Sequence, residues 1–381
     1  MMEYILQTLV QTKISMNKKT KKLNNLFKRK RNNGLNVVDF FCGCGGLSLG
    51  FKMAGYNIKG AIDFDDDSLK TITQNNLSDH ALNIDLFDKS WLDDLKASMK
   101  IDDIDIVIGG PPCQGFSLTG TRKLSDKRNQ LYRAMHDFVK ITKPKAFLIE
   151  NVKGMASLYD GLIKDAVIND FNDLGYTVTS RILNSKHYGV PQARERLFFI
   201  GILGKAFKFP EPIFIDEELV TCREALDELP SLDDLEEVTT YRSNPRNQFQ
   251  QLIRDGAKIL KNHQPTKHTK EVISVISQVP EGGNHKDLPP GVGESRKFNE
   301  AWTRYDGNKP SRTIDTGHRN HFHYEYNRVP TVRENCRLQS FPDTFEIMGS
   351  KTSQNKQVGN AVPVLLAKVL AESIYDQIKS N

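Results

Sequence analysis

Short apolar runs alternate with amphipathic stretches from Leu35 onward. LNVVDFF (35–41) reads as a buried strand, followed by a glycine-rich turn and a helix through Ala54. IKGAID (58–63) reads as a second strand, with a helix near Ser68–Asn76 after it. IDIVIGG (104–110) and AFLIE (146–150) read as two more strands, with a helix near Asn129–Thr142 between them. A helix near Gly161–Leu174 and strands near 176–183 and 197–203 continue the series. Strands alternating with helices predict an α/β fold with a parallel, doubly wound sheet. Ligands of such a sheet sit beyond the carboxyl ends of its strands.

The periodicity weakens after Gly204, and the charge changes with it. Residues 211–240 hold eleven Asp/Glu and one Arg, whereas 241–300 hold ten Lys/Arg and six Asp/Glu and are rich in Asn, Gln, His, Gly and Pro. This predicts a second unit of loops and short elements with one acidic and one basic face. A regular helix is expected to return only at Val362–Ile378. The formal charge of +6 over 381 residues is concentrated at one end: residues 1–33 carry nine Lys/Arg and one Glu, so the rest is slightly acidic. The tail reads as a solvated, disordered extension, or as a non-specific phosphate-binding arm. The expected division is a basic tail (1–33), an α/β domain (34–204), a more irregular region (205–344) and a C-terminal segment (345–381) that returns to the α/β domain. Five widely spread cysteines, Cys42, Cys44, Cys113, Cys222 and Cys336, exclude a disulfide scaffold and favour a reducing compartment, hence a cytoplasmic location. No run approaches the roughly 18 apolar residues of a membrane span.

The first turn, Asp39-Phe40-Phe41-Cys42-Gly43-Cys44-Gly45-Gly46, follows a strand and opens a helix. Its glycines let backbone approach a ligand closely. The dinucleotide fingerprint needs a third glycine where Ser48 stands, and a phosphate loop needs a Gly-Lys-Ser/Thr ending that is absent. Asp63, 20 residues after Gly43, suits ribose hydroxyls; Phe64 suits a flat base; Asp85 suits an exocyclic amine. Together they describe a nucleoside without a diphosphate, and S-adenosyl-L-methionine fits. Taken alone, the turn reads equally well as structural.

Gly109-Gly110-Pro111-Pro112-Cys113-Gln114-Gly115-Phe116-Ser117 follows the fourth strand and holds a thiol at its carboxyl end. A nucleophile belongs there, although buried structural cysteine is the common fate of a free thiol. Glu150-Asn151-Val152 ends the next strand and so reaches the same edge. A thiol beside a carboxyl suits attack on a heteroaromatic ring better than amide hydrolysis, where a histidine base is expected. In Gln192-Ala193-Arg194-Glu195-Arg196 the two arginines share one side of an extended chain. They suit a phosphate or a polarised carbonyl, or form an ordinary charged surface.

This constellation resembles the cytosine-5 DNA methyltransferases of bacterial restriction-modification systems. The resemblance covers roughly 35–203 and 310–365. It is carried by the Pro-Pro-Cys-Gln-Gly-Phe-Ser run, Glu-Asn-Val, Gln-x-Arg-x-Arg, the stretch Arg333–Asp343 and Gln357-Val358-Gly359-Asn360-Ala361-Val362-Pro363. Cys336 stands where the family usually has alanine. The resemblance implies a Rossmann-like, S-adenosylmethionine-dependent sheet with a smaller, irregular target-recognition domain. It implies that Cys113 adds to carbon 6 of cytosine, that Glu150 donates to ring nitrogen 3, and that Arg194 and Arg196 hold the activated base and its backbone. For the cofactor it implies Phe41 against the adenine, Asp63 on the ribose, Asp85 on the adenine amine and a backbone contact from Leu131. Gly43, Gly45, Gly46, Phe64, Pro112, Asn360 and Ala361 complete that set, and no metal is called for.

A stacked cytosine cannot reach Cys113, so the base must flip out. The basic loop Ser117–Arg128 then looks like a lid. Residues 205–309 are expected to read double-stranded DNA with their basic part, Arg242, Arg246, Asn262, Lys267 and Arg296 being candidate contacts, while the acidic part faces away. His263, His268 and His285, and the group His318, His321 and His323, have no paired cysteines and suit solvent or phosphate better than a metal. A monomer with a functional partner endonuclease and no membrane contact is expected. The alternatives are the same chemistry on tRNA, a binding-only relative that regulates a true enzyme, and a nicotinamide dehydrogenase. The intact Cys113, Glu150, Arg194 and Arg196 argue against the second, and the Pro-Pro-Cys run has no place in the third.

Overall fold

The computed structural model describes residues 16–112, 131–232, 238–296, 298 and 300–380. Cys113 and the candidate lid lie outside the described residues. Its centre is a seven-stranded sheet of order β3–β2–β1–β4–β5–β8–β6. The strands are β1 (Asn36–Phe40), β2 (Asn57–Asp63), β3 (His80–Asn83), β4 (Ile106–Gly109), β5 (Ala146–Val152), β6 (Tyr176–Asn184) and β8 (Glu195–Leu203), with the two-residue β7 (Gln192–Ala193) outside it. The first five strands are parallel, as the alternation predicts. β8 corrects the expectation of an all-parallel sheet: it runs antiparallel to both β5 and β6. A parallel crossover takes a dozen or more residues. Between β6 and β8 the chain has only a short 3-10 turn and β7, so it folds back and fills the gap beside β5.

Alternation along the strands builds two apolar layers. Val37 and Leu148 face one layer; Val38, Phe40, Phe147 and Ile149 face the other. Helices α2 (Gly46–Met53), α3 (Asp66–Gln74) and α12 (Val364–Lys379) cover the first face. Helices α4 (Trp91–Ser98), α5 (Leu131–Thr142) and α6 (Leu162–Asn172) cover the second. β1 pairs with β2 on one side and β4 on the other. The loops leaving β1 and β4 therefore diverge, and a crevice opens beyond their carboxyl ends.

The tail is not disordered from Met16 on: residues 16–27 form helix α1. Leu23 and Leu26 on it are buried, and Phe27 packs partly buried beside them. Three apolar residues at helical spacing give α1 a seat on the core. Its lysines meet the acidic segment, Lys19 pairing with Glu224 at 2.6 Å and Lys22 pairing with Glu218. The two opposite excesses of charge in the sequence thus partly neutralise each other.

The second unit consists of α7 (Cys222–Leu226), α8 (Gln248–Arg254), α9 (Lys270–Gln278) and the short strands β9 (Thr303–Arg304), β10 (Ser311–Arg312) and β11 (His321–Phe322). A small core of Ile276, Val279, Ala301, Trp302, Phe322 and Val329 holds part of it. Two further helices precede α12, where the pattern predicted none: α10 (Val332–Leu338) and α11 (Lys351–Asn360). Every residue of α10 is buried, so it shows no amphipathic stripe. Its start is set by a capping box between Thr331 and Glu334. α11 has a mostly polar sequence and begins at Ser350, whose side chain accepts from the Ser353 N–H. Inside this unit Arg337 forks onto Asp343 at 3.0 and 2.6 Å and also reaches Glu228 at 2.8 Å, all three buried, which fastens the acidic segment to α10.

Candidate active site

The crevice beyond β1 and β4 contains a cavity of about 390 Å³, lined by the first turn and by the ends of β2, β4 and β5, together with Arg194, Arg196 and the end of α11. A volume of this size falls in the range of small-molecule sites, about 300–1,000 Å³.

Asp63 organises one end. Its carboxylate accepts from the Gly43 N–H at 2.8 Å and from the Phe64 and Asp65 N–H groups at 2.8 and 3.0 Å. It thereby ties the turn after β1 to the end of β2. Burial pushes its pKa up while these three donors pull it down. Two carboxylate oxygens offer about four acceptor sites, so capacity remains for hydroxyl donors. Phe64 lies beside it with 71% of its surface exposed, a free aromatic face at the cavity. Phe41 adopts a positive φ of 58° and lines the same end.

The glycines divide by role. A Cβ on Gly43 would meet nothing within 4 Å, whereas one on Gly46 would lie 2.2 Å from the Val362 carbonyl oxygen. Gly43 thus leaves the cavity open, and Gly46 lets the C-terminal segment close against the turn. A Cβ on Gly45 would strike Leu77 and Ile72. Gly45 serves packing and is not among the lining residues. Ser48, which breaks the dinucleotide fingerprint, has a separate role, because its hydroxyl donates to the buried Asp39 carboxylate at 2.6 Å. Burial is the main force pushing the Asp39 carboxyl up to about 7, with nearby Asp63 adding to it.

At the other end, Glu150 is 8% exposed and pairs with the Arg196 Nε at 3.0 Å. Burial pushes its carboxyl up, against the pull of Arg196 and Arg194. The Asn151 side chain donates to the Pro111 carbonyl at 3.1 Å and so fixes the Pro-Pro segment to β5. Pro112, one peptide bond before Cys113, lines the same cavity as Glu150. Arg194 is buried and donates to the carbonyls of Gly359 at 2.9 Å and Asn360 at 3.2 Å. Desolvation, reinforced by Arg196, lowers its pKa to about 9.

The structure therefore gathers Phe41, Gly43, Gly46, Asp63, Phe64, Pro112, Glu150, Arg194, Arg196, Asn360 and Ala361 around one cavity. Asp85 is exposed past β3 and accepts from the Phe87 N–H, and Leu131 is buried at the start of α5; neither lines it. Two glutamines had no role in the sequence reading. Buried Gln192 donates to the Gln339 side chain at 2.9 Å, and Gln339 donates to the carbonyls of Val358 and Ala361 at 2.8 and 3.0 Å. They hold the C-terminal segment against the site, and only their position inside two quoted motifs hinted at it.

Among the candidate DNA contacts, Asn262 bonds through its amide to the backbone of Ile347 in both directions at 2.9 Å. It is a brace for the chain there. Arg296 lies over the Trp302 ring at 5.0 Å and Arg246 sits 3.6 Å from Asp227, while Arg242 and Lys267 are exposed. His263 is buried between the Thr331 hydroxyl and the Pro230 carbonyl, both at 3.0 Å.

The sequence model of the C-5 cytosine-specific DNA methylases matches residues 35–376. The type II methyltransferase M.DdeI of Desulfomicrobium norvegicum is 37% identical, over 89% of this chain and 88% of its own length. The type II methyltransferase M1.HphI of Haemophilus parahaemolyticus is 36% identical, over 89% of this chain and 86% of its own. Among solved structures, a protein described as a DNA modification methyltransferase encoded within an E. coli prophage superposes with a TM-score of 0.71 at 28% identity, over 90% of this chain and 99% of that one.

Proposed function

The chain belongs to the C-5 cytosine-specific DNA methylase family, and from that premise we propose that it methylates carbon 5 of a flipped-out cytosine at a specific DNA site through a covalent Cys113 adduct. The observation that carries this reading is the shared cavity: one end, built on Asp63 and Phe64, suits a nucleoside, and the other, built on Glu150, Arg196 and Pro112, suits a base. The acceptor set, the open aromatic face and the missing diphosphate cradle fit S-adenosyl-L-methionine. Asp63 would hold the ribose hydroxyls, Phe64 and Phe41 would flank the adenine, and Gly43, Asn360 and Ala361 would line the remainder. Bound there, that cofactor supplies an electrophilic methyl group on a sulfonium.

The residues divide the work on the base. The Cys113 thiolate forms a bond to carbon 6, and Glu150 in its neutral form donates to ring nitrogen 3. The electron pair gathers at carbon 5, which takes the methyl. A base then removes the carbon 5 proton, and the Cys113 bond breaks as the ring regains aromaticity. Arg196 holds Glu150 in place, and Arg194 draws the Gly359–Asn360 carbonyls over the site. Residues 205–309 act as the DNA-reading region. By analogy with the type II relatives, the product protects DNA from a partner endonuclease in the cytoplasm, and the enzyme works as a monomer.

Purified protein with methyl-labelled S-adenosylmethionine should label double-stranded DNA and leave tRNA unlabelled. Bisulfite sequencing of that DNA should show one recurring sequence around the modified cytosine. Label on tRNA alone would overturn the DNA reading. Phe64→Ala should weaken S-adenosylmethionine and S-adenosylhomocysteine alike, about 5–30-fold, the scale of one lost base-stacking contact. Its KM for DNA should stay within about twofold. Calorimetric titration reads the first effect, and an unchanged affinity would remove Phe64 from the cofactor site.

A further inference from the structure

The last residues of the basic N-terminal segment lie at the end of helix α2 opposite the cavity. Gly46, at the start of α2, lines the cavity. The other end of that helix receives the tail: the Lys30 N–H donates to the Met53 carbonyl and the Asn33 N–H to the Gly55 carbonyl, both at 2.8 Å. Eight residues of helix, about 12 Å, lie between the two ends. The chain then enters β1 at its amino end, on the opposite edge of the sheet from the cavity. Residues 30–33 thus lie at the end of α2 away from the cavity, and the α1 lysines Lys19 and Lys22 are engaged by this protein's own carboxylates.

They meet both parts of this protein. Lys19 donates to the Leu219 carbonyl at 2.9 Å as well as to Glu224, and Lys22 pairs with Glu218, whose side chain is 9% exposed. The Phe27 ring meets Phe249 of α8 edge-on at 5.7 Å, Asn24 accepts from Gln248 at 2.9 Å, and Arg29 pairs with Asp255 at 2.7 Å. On the catalytic side, Leu26 crowds over Gly189 together with Phe214 and with Leu365 of α12, and Lys30 reaches Glu372 at 3.5 Å. Residues 16–33 thus touch the acidic segment, α8 of the second unit and α12 against the sheet.

We propose that residues 16–33 are a strap that fixes the DNA-reading region against the catalytic sheet, positioning it for substrate rather than touching DNA. This rests on the reading of 205–309 as the DNA-reading region. Loosening the strap lowers the fraction of molecules in the competent arrangement, and apparent affinity for DNA falls by that fraction while turnover of the bound complex stays intact. A phosphate-binding arm has a different signature, because each lost cation lowers the slope of log affinity against log salt by about 0.9.

The test uses the full chain with Lys22→Glu, Glu218→Lys and the double exchange of the two. Each single variant should raise KM for target DNA about fivefold, a coupling typical of contacting charged pairs, with kcat and S-adenosylmethionine affinity within about twofold and an unaltered salt slope. The exchange should restore KM. Failure of the exchange to restore KM, a shallower salt slope for Lys22→Glu, or an unchanged KM would each overturn the strap. A parallel loss of cofactor affinity would show general loss of folding and overturn it as well. Swapping 205–309 for a relative's region tests the DNA-reading assignment separately: there the methylated sequence changes, whereas the strap variants leave it as it is.

Discussion

Cys113→Ala should abolish methyl transfer, with a loss of at least about 10⁴-fold, while DNA and S-adenosylmethionine still bind. A covalent nucleophile divides one difficult step into two easier ones, and no other group in the proposed mechanism activates carbon 5. Pro112 lines the cavity with Glu150, and Asn151 pins the Pro111 carbonyl at 3.1 Å. Cys113 is the next residue in the chain. A free thiol, with a pKa near 8.5, is only a few per cent thiolate at neutral pH, yet it is intrinsically a strong nucleophile. Cytosine carrying fluorine at carbon 5 should trap the wild type as a stable adduct, because the last step needs a proton at that carbon. Denaturing electrophoresis would show the adduct with wild type and none with the alanine variant. Turnover by Cys113→Ala within about 100-fold of wild type would overturn the covalent mechanism.

Glu150→Gln should lower kcat by about 10²–10³-fold, within the range of a general acid–base contribution, and change DNA affinity by less than about fivefold. The amide still donates a hydrogen bond to ring nitrogen 3 but cannot pass a proton on. The direction of the wild-type pH dependence follows from burial. The raised pKa keeps the neutral, donating form present to higher pH than an exposed glutamate would, and the donor is lost as pH rises through that raised value. The alkaline limb of log kcat should therefore contain a Glu150 component that the Gln variant lacks. The amide oxygen can still accept from Arg196 at the 3.0 Å contact but without the ionic attraction, so the pH profile, rather than the rate alone, separates proton delivery from arginine placement. Equal losses in kcat and DNA affinity would make Glu150 a binding residue.

Several features were legible from sequence because their signals are local. Four of the first five strands, β1, β2, β4 and β5, are short apolar runs, whereas β3 (HALN) carries too little apolar sequence to stand out; the residues that end these four stand directly after the runs. A parallel sheet brings such ends to one edge wherever the crossovers are long enough. Asp63, Phe64, Glu150 and the Pro-Pro step meet at one cavity for that reason. The switch point between β1 and β4 then opens the crevice, as any doubly wound sheet does.

Other features depended on partners far along the chain. Ser48 looked like a missing glycine until its hydroxyl was seen on the buried Asp39. The net charge of residues 1–33 argued for disorder, but Glu218 and Glu224, some 200 residues on, supply the counter-charges that let α1 settle on its leucines. β8 had the composition of any inner strand, and composition carries no direction. The short link from β6 and the vacant position beside β5 decided that it runs antiparallel. α10 and α11 were missed because a helix buried all round, or one held by caps and side-chain contacts, leaves no periodic stripe. Gln192, Gln339 and Asn262 likewise act through backbone groups of distant segments. Periodicity and motif spacing determined the elements and the ends that carry the chemistry. Strand direction, the docking of α1 and the bracing of the C-terminal segment were decided by tertiary structure, because burial and hydrogen-bond satisfaction act on the folded chain as a whole.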